Sequence, residues 1–245
     1  MTYESRIKNQ ESRICVLFLA CFLFLASCFV FARSAIAQNT ATVDLVWEAN
    51  SYVPPFYKGK ALTTTDGDVD VYAFVPSTFG NPLRATYTWE LNSQVLGSLS
   101  GVGRSSLRVS GSPFIDDRAI RVRVVGENGR EGFGYVRIPA VKPTIMVYVD
   151  SPLAGVQFGN AVVTRLEAQT ETDLTLTAYP YFFSTSDRNE NLSYTWNVNG
   201  VASETRGPTL VARSETTGTS TVSVEINNVS KILERASKIF SVVLQ

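Results

Sequence analysis

Tyr87-Thr88-Trp89-Glu90-Leu91-Asn92 recurs as Tyr194-Thr195-Trp196-Asn197-Val198-Asn199, 107 residues later, and this repeat decides how the chain is read. The flanks repeat in the same order. Leu45-Val46-Trp47 ahead of Pro54-Pro55 and Lys58-Gly59-Lys60-Ala61 parallels Met146-Val147-Tyr148 ahead of Pro152 and Phe158-Gly159-Asn160-Ala161. Ala73-Phe74-Val75-Pro76 parallels Thr177-Ala178-Tyr179-Pro180. The expectation is two copies of one domain, residues 41–140 and 143–245. Pro139 to Pro143 forms a short joint, since proline restricts itself and the residue before it.

Within each copy the apolar residues recur every second position, the period of a strand with one buried face. Val69, Val71, Ala73 and Val75 alternate with Asp70, Tyr72 and Phe74. Ile120, Val122 and Val124 alternate with Arg121 and Arg123, and Val222, Val224 and Ile226 with Ser223 and Glu225. Glu127-Asn128-Gly129-Arg130 separates two such runs, and its Asn-Gly suits the positive φ angles of a type I′ hairpin turn. Ser230 to Ser237 reads either as a short helix, with Ile232, Leu233 and Ala236 at helical spacing, or as an irregular hairpin loop. Many short strands divided by Gly, Pro, Asn and Ser turns make an all-β chain of two tandem antiparallel sandwiches.

Trp89 and Trp196 carry a resemblance that covers most of residues 41–245. Their place midway through each copy is similar to that of the buried third-strand aromatic in immunoglobulin-like and polycystic-kidney-disease-type domains. That resemblance implies Ig-like sandwiches. The paired cysteines of antibody domains are missing, and Glu90-Leu91-Asn92 and Asn197-Val198-Asn199-Gly200 match the polycystic-kidney-disease pattern loosely. The stretch from Asp44 to Leu62 also resembles envelope proteins of small-genome bacteria, which implies a cell-surface setting.

The leader argues for export. Arg6, Lys8 and Arg13, with Glu4 and Glu11, precede an apolar run from Ile14 to Phe31 that is longer than a usual signal core and just short of a comfortable membrane span. Ala35-Ile36-Ala37 before Gln38 has the small-any-small pattern of a signal peptidase site, which favours cleavage between Ala37 and Gln38. Two alternatives stay open: an uncleaved N-terminal anchor helix over residues 1–37, and a lipoprotein modified at Cys28 of Leu25-Ala26-Ser27-Cys28. Each puts the body outside the cytoplasm, secreted or anchored to the outer face of the membrane.

Composition removes whole classes of chemistry. The chain contains no histidine, and Cys15, Cys21 and Cys28 all lie in the leader. A Ser-His-Asp triad, a Cys-His pair, a histidine or cysteine zinc site and a disulfide framework in the body are therefore excluded. The 22 basic residues balance 22 acidic ones; the first 37 residues hold four basic and two acidic, leaving 18 against 20. That balance offers no basic stripe for nucleic acid. Gly97-Ser98-Leu99-Ser100-Gly101 has leucine where a nucleophile elbow needs serine, and Gly101-Val102-Gly103 lacks the third glycine of a dinucleotide loop.

What remains is sparse. Asp66, Asp68 and Asp70 alternate as calcium ligands could, but the glycine and the distal glutamate of an EF-hand are absent, so an Asp66-Gly67 turn leading into a strand is the plainer reading. Asp116-Asp117 reads as a polar turn. Tyr181, Phe182 and Phe183, together with Phe79 at the matching place in the first copy, are the candidate binding residues; they either present a rigid aromatic patch or fold back over the core. Val53-Pro54-Pro55-Phe56-Tyr57 reads as an edge or sheet-switching segment, or as a ligand for a proline-binding partner. The expectation is a non-enzymatic surface or envelope module that binds or builds, without catalytic residues or cofactor. Its partner would be a protein or glycan, with the membrane as a further partner if the leader is retained. The alternatives are a carbohydrate-active enzyme using two carboxylates and an assembly subunit of a surface appendage.

Overall fold

A computed structural model describes residues 41–114, 116–185 and 191–245. The leader, with Cys28, Ala37 and Gln38, lies outside the described residues. Among those described, no helix is long and apolar enough to cross a membrane.

The body is all-β. Its first half runs β1 (Ala41–Thr42), β2 (Asp44–Ala49), β3 (Val69–Phe74), β4 (Thr86–Leu91), β5 (Gln94–Val95), β6 (Gly101–Val102), β7 (Ser106–Val109), β8 (Asp117–Val125) and β9 (Glu131–Pro139). The second half runs β10 (Thr144–Ser151), β11 (Gly155–Ala161), β12 (Arg165–Ala168), β13 (Asp173–Tyr181), β14 (Leu192–Val198), β15 (Val201–Ala202), β16 (Thr209–Arg213), β17 (Gly218–Asn228) and β18 (Arg235–Leu244). A six-stranded sheet ordered β1-β9-β8-β4-β5, with β6 on β4, faces the three-stranded β2-β3-β7. A five-stranded sheet ordered β12-β18-β17-β14-β15 accompanies the four-stranded β11-β10-β13-β16. In each half one early strand lies parallel to the last, β1 on β9 and β12 on β18, while the other ladders are antiparallel. These are tandem immunoglobulin-like sandwiches.

Alternation dictates the cores. Val69, Val71 and Ala73 of β3 and Ile120, Val122 and Val124 of β8 turn into the first core, while Tyr72, Phe74, Arg121 and Arg123 turn out. Val222, Val224 and Ile226 of β17 fill the second core in the same way. Each valine or isoleucine among them is worth roughly 1.5–3 kcal/mol of transfer free energy when fully buried.

The repeated motif is explained residue by residue. Trp89 lies opposite Val122 and Trp196 opposite Val224, both fully buried. A buried indole must still place its N–H, and Trp89 Nε1 donates to the Arg104 carbonyl at 2.8 Å, Trp196 Nε1 to that of Gly207 at 3.1 Å. The motif's last residue turns the chain. Asn92 and Asn199 adopt φ of 49° and 53°, a left-handed conformation that asparagine tolerates. Each side-chain oxygen accepts a backbone N–H from the neighbouring strand, Ala119 and Thr221, at 2.8 Å.

Two local expectations are refined. The Asn128-Gly129 turn is not type I′, because only Gly129 has positive φ. Gly129 N–H closes on the Gly126 carbonyl and Gly126 N–H on that of Arg130, a longer loop in which Asn128 accepts the Arg130 N–H and donates to the Thr78 carbonyl. Residues 230–234 form a hairpin loop rather than a helix, running directly into β18.

Candidate functional site

Among the described residues, a cluster of polar and aromatic side chains lies where the two sandwiches meet, and the segment 50–68 between β2 and β3 builds it. Pro54 and Pro55 bar a regular ladder here by removing donors, and the chain leaves its own sheet. It pairs with the second sandwich instead. Ser51 bridges Ser184 in antiparallel fashion, Tyr52 N–H donates to the Phe183 carbonyl and Phe182 N–H to the Tyr52 carbonyl, both at 2.7 Å, and Thr185 N–H reaches the Asn50 carbonyl at 3.1 Å.

Aromatic rings close over this bridge. Phe56 stacks against Phe158 with centroids 3.8 Å apart and meets Tyr179 edge-on at 5.1 Å and Tyr148 at 6.0 Å. Tyr57 meets Tyr181 at 5.5 Å and Phe182 at 5.9 Å, again near perpendicular. Such edge-to-face pairs add about 0.5–1.5 kcal/mol beyond area burial. Phe182 adopts φ of 65°, a left-handed conformation that a bulky residue takes only when its surroundings hold it. Burial, followed by a hydrogen bond with Tyr148, pushes the Tyr181 phenol well above its ordinary pKa.

A carboxylate locks the polar side. Glu234, in the hairpin loop between β17 and β18, is 3% exposed. Its Oε1 accepts from the hydroxyls of Thr64 in the first sandwich and Ser184 in the second; its Oε2 accepts Ser184 N–H at 2.8 Å and Asn228 Nδ2 at 2.9 Å. A carboxylate has about four lone-pair sites, and four donors fill them. Glu234 is therefore saturated, a structural hold with no lone pair to take a substrate's proton. Beside it Lys231 donates from Nζ to the Asp66 carbonyl and sits 3.7 Å from Asp68 Oδ1.

Arg118 backs the first-sandwich side of the junction. It is 2% exposed and donates to Thr63 Oγ1 at 3.3 Å, the Thr64 carbonyl at 3.2 Å and the Thr65 carbonyl at 2.6 Å. Burial lowers its pKa, and Asp68 and Asp66 push it back up. Gly111 lets the turn at Asp66 pass: a Cβ there would collide with the Asp66 carbonyl carbon, and the Gly111 N–H donates to Asp68 Oδ1 at 3.2 Å.

The aromatic candidates thus separate. Tyr181 and Phe182 join the junction and face Tyr57, while Phe183 is fully buried in the second core. Phe79 lies at the other end of the first sandwich, in a 3-10 turn over Ser77–Phe79, fully buried beside Gly132, where a Cβ would come within 2.6 Å of its ring. Phe79 and Phe183 thus offer a partner no ring surface in this arrangement. The Val53 to Tyr57 segment is neither strand nor free ligand; it docks on the second sandwich. The three aspartates diverge: Asp70 accepts from Nε and Nη2 of Arg108, at 2.8 and 2.9 Å, and from Asn50 at 3.1 Å, Asp68 Oδ1 accepts the Gly111 N–H and lies 3.7 Å from Lys231 Nζ, and Asp66 meets Lys231 through its backbone carbonyl. Asp117 pairs with Arg137.

Glu234, Thr64, Ser184, Asn228 and Arg118 were not singled out from the sequence. Arg118 and Asn228 had a signal, since each shares the inward parity of its strand with Ile120 and Ile226. Glu234, in a loop without period, had none.

No family model and no curated protein matches the sequence. Among solved structures, the three N-terminal domains of the bacteriophage RB49 Highly Immunogenic Outer Capsid protein are 16% identical with a TM-score of 0.46, covering 83% of this chain and 59% of that one. The N-terminal four Ig domains of Dscam1 are 12% identical, TM-score 0.30, covering 82% and 46%. A Bacteroides ovatus glucan-utilisation protein, SGBP-B, in complex with a mixed-linkage heptasaccharide, is 10% identical, TM-score 0.24, covering 82% and 70%. The chain thus spans 59% of the outer capsid protein structure. Likenesses of this strength bear on neither partner nor activity, and the architecture stands on the strand pairing itself.

Proposed function

We propose that this chain is an exported, non-enzymatic module of the cell surface or envelope, in which residues 41–140 and 143–245 form two Ig-like domains clamped into one stiff unit that binds or spaces a surface partner. The saturated Glu234 carboxylate carries this reading. The buried Glu234 carboxylate at the junction accepts four hydrogen bonds that hold the sandwiches together, which supports a mechanical use of the site. Among the described residues no group of three potential ligands is arranged for a metal ion.

The outer face of the six-stranded sheet supports the binding half of the proposal. Phe133 and Tyr135 of β9 are 40% and 61% exposed, and Arg121 stands opposite Tyr135. Exposed rings beside a cation suit a protein or glycan surface. Export rests on the leader, through cleavage after Ala37, lipidation at Cys28 or retention as an anchor. Fractionating native cells and sequencing the mature N-terminus tests it: a product outside the cytoplasm that begins at Gln38 or Cys28, or retains the apolar run in the membrane, is expected, and a soluble cytoplasmic product overturns it.

A further inference from the structure

The end of the second sandwich away from the junction is open. Between its two sheets lies a cavity of about 240 Å³, walled by Leu174, Leu176, Leu210, Val222, Val242 and Leu244. Asn199, Ser214 and Ser220 stand at its polar side, with Arg213 at the mouth 3.7 Å from Asp173. Apolar cavities of roughly 150 Å³ already stay dry and admit small apolar molecules.

The first sandwich tells what fits there. Trp89 lies opposite Val122 and Trp196 opposite Val224, so counting back along β8 and β17 makes Arg118 the counterpart of Ser220. In the first sandwich the inward Arg118 fills this end, its unbranched aliphatic stem in the core and its polar head bonded to the carbonyls of Thr64 and Thr65. In the second, serine at the same register ends at Oγ, and the space beyond it is unfilled. The Ser220 hydroxyl accepts from Asn199 Nδ2 at 3.3 Å, which leaves its own proton to donate.

We propose that this end of the second sandwich is a binding socket for a free small amphiphile: an unbranched aliphatic chain that enters between the sheets, with a carboxylate head held at Ser220 and Arg213. The aliphatic chain takes the space between the sheets that corresponds to the one the Arg118 stem fills in the first sandwich. The head meets a hydroxyl donor and a guanidinium that is 57% exposed and only loosely held by Asp173. The proposal is independent of the surface role above.

Octanoate is the probe, titrated into the full chain and followed by calorimetry and by thermal unfolding, which registers ligand bound to the folded body. Saturable binding with a rise in Tm is expected. Ser220→Arg, which restores the plug of the first sandwich, weakens binding at least tenfold. Ala212→Met, filling the same cavity from β16, does likewise and carries the test if the arginine variant fails to fold. Absence of saturable binding overturns the proposal. So does equal affinity in parent and variants, which places octanoate elsewhere on the chain, and so does capture of a leucine-bearing peptide but not octanoate, which makes the socket a docking point for a protein side chain.

Discussion

Thr64 and Glu234 are 170 residues apart in sequence and bonded side chain to side chain in a buried environment, so a double-mutant cycle between them measures the junction directly. Glu234→Ala strips four donors of their acceptor at once. Asn228 Nδ2 keeps its bond to the Ser184 carbonyl at 3.0 Å and the Thr64 and Ser184 hydroxyls, 3.3 Å apart, can pair with each other, but Ser184 N–H and one hydroxyl proton are left without an acceptor. A stranded buried donor costs about 1–3 kcal/mol. Removing the carboxylate also lifts its own desolvation penalty, so the net loss is about 3 kcal/mol, at the low end for breaking a buried charged network. Thr64→Ala removes one charge-assisted hydrogen bond, worth about 1.5–3 kcal/mol, and leaves three donors on the carboxylate. The double variant loses little more than Glu234→Ala alone, which gives a coupling of about 1.5 kcal/mol or more. Urea unfolding followed by tryptophan fluorescence reads it, and the tryptophans divide conveniently: Trp47 and Trp89 report on the first sandwich, Trp196 on the second. A further sign is loss of cooperativity, with the single transition of the parent splitting in Glu234→Ala as the sandwiches unfold apart. Strict additivity, with coupling below about 0.5 kcal/mol, refutes the latch.

Gly111→Ala sets a Cβ against the Asp66 backbone, which cannot yield as a side-chain tip would, so a loss of about 2 kcal/mol in urea unfolding is expected, with proteolysis in 62–68 rising in step. Asn92→Ala and Asn199→Ala each force alanine into a left-handed conformation and leave a strand N–H unpaired, costing about 1–2 kcal/mol apiece; because they sit in separate sandwiches, the losses add in the double variant. Asp70 titrates below the ordinary carboxylate range, chiefly through its hydrogen bonds from Arg108 and further through Asn50. A depressed native pKa contributes stability that is complete above about pH 4 and is lost as pH falls through the lower native value. In Arg108→Ala the Asp70 carboxyl, followed by carbon NMR, therefore titrates higher, and the acid loss of stability shrinks; an unchanged Asp70 titration rules this account out.

The parts of the fold legible in the sequence were those with a period. Alternation at Val69 to Ala73, Ile120 to Val124 and Val222 to Ile226 names the inward face of three strands because a pleated backbone sends successive side chains to opposite sides. The repeated Tyr-Thr-Trp locates the same strand in both sandwiches, since a fully buried indole with one obligatory donor leaves few substitutes. The loop after Val125 was harder. Asn-Gly suits a two-residue turn, but the register of Val125 on Glu131 leaves more residues to connect, and strand register outranks the local preference of one dipeptide.

The junction escaped the same reading for a physical reason. Its bonds join residues such as Asn50 to Thr185 and Thr64 to Glu234 through loops, where no period says which way a side chain points. The Val53 to Tyr57 strap and the Tyr181-Phe182 pair were each conspicuous as apolar loops seeking cover, and nothing in one stretch names the other as that cover. Arg118 is the instructive exception. A charged residue at the inward parity of an apolar strand states that something must receive its guanidinium, because an unpaired buried cation is costly. The receiver, three polar groups of Thr63 to Thr65, is the same turn that offers a hydroxyl to Glu234, so the arginine buried in one sandwich fixes the loop on which the other is held. Parity alone could thus have led to the junction from the first sandwich, and Ser220 at the corresponding register of the second marks where the chain declines to repeat the device.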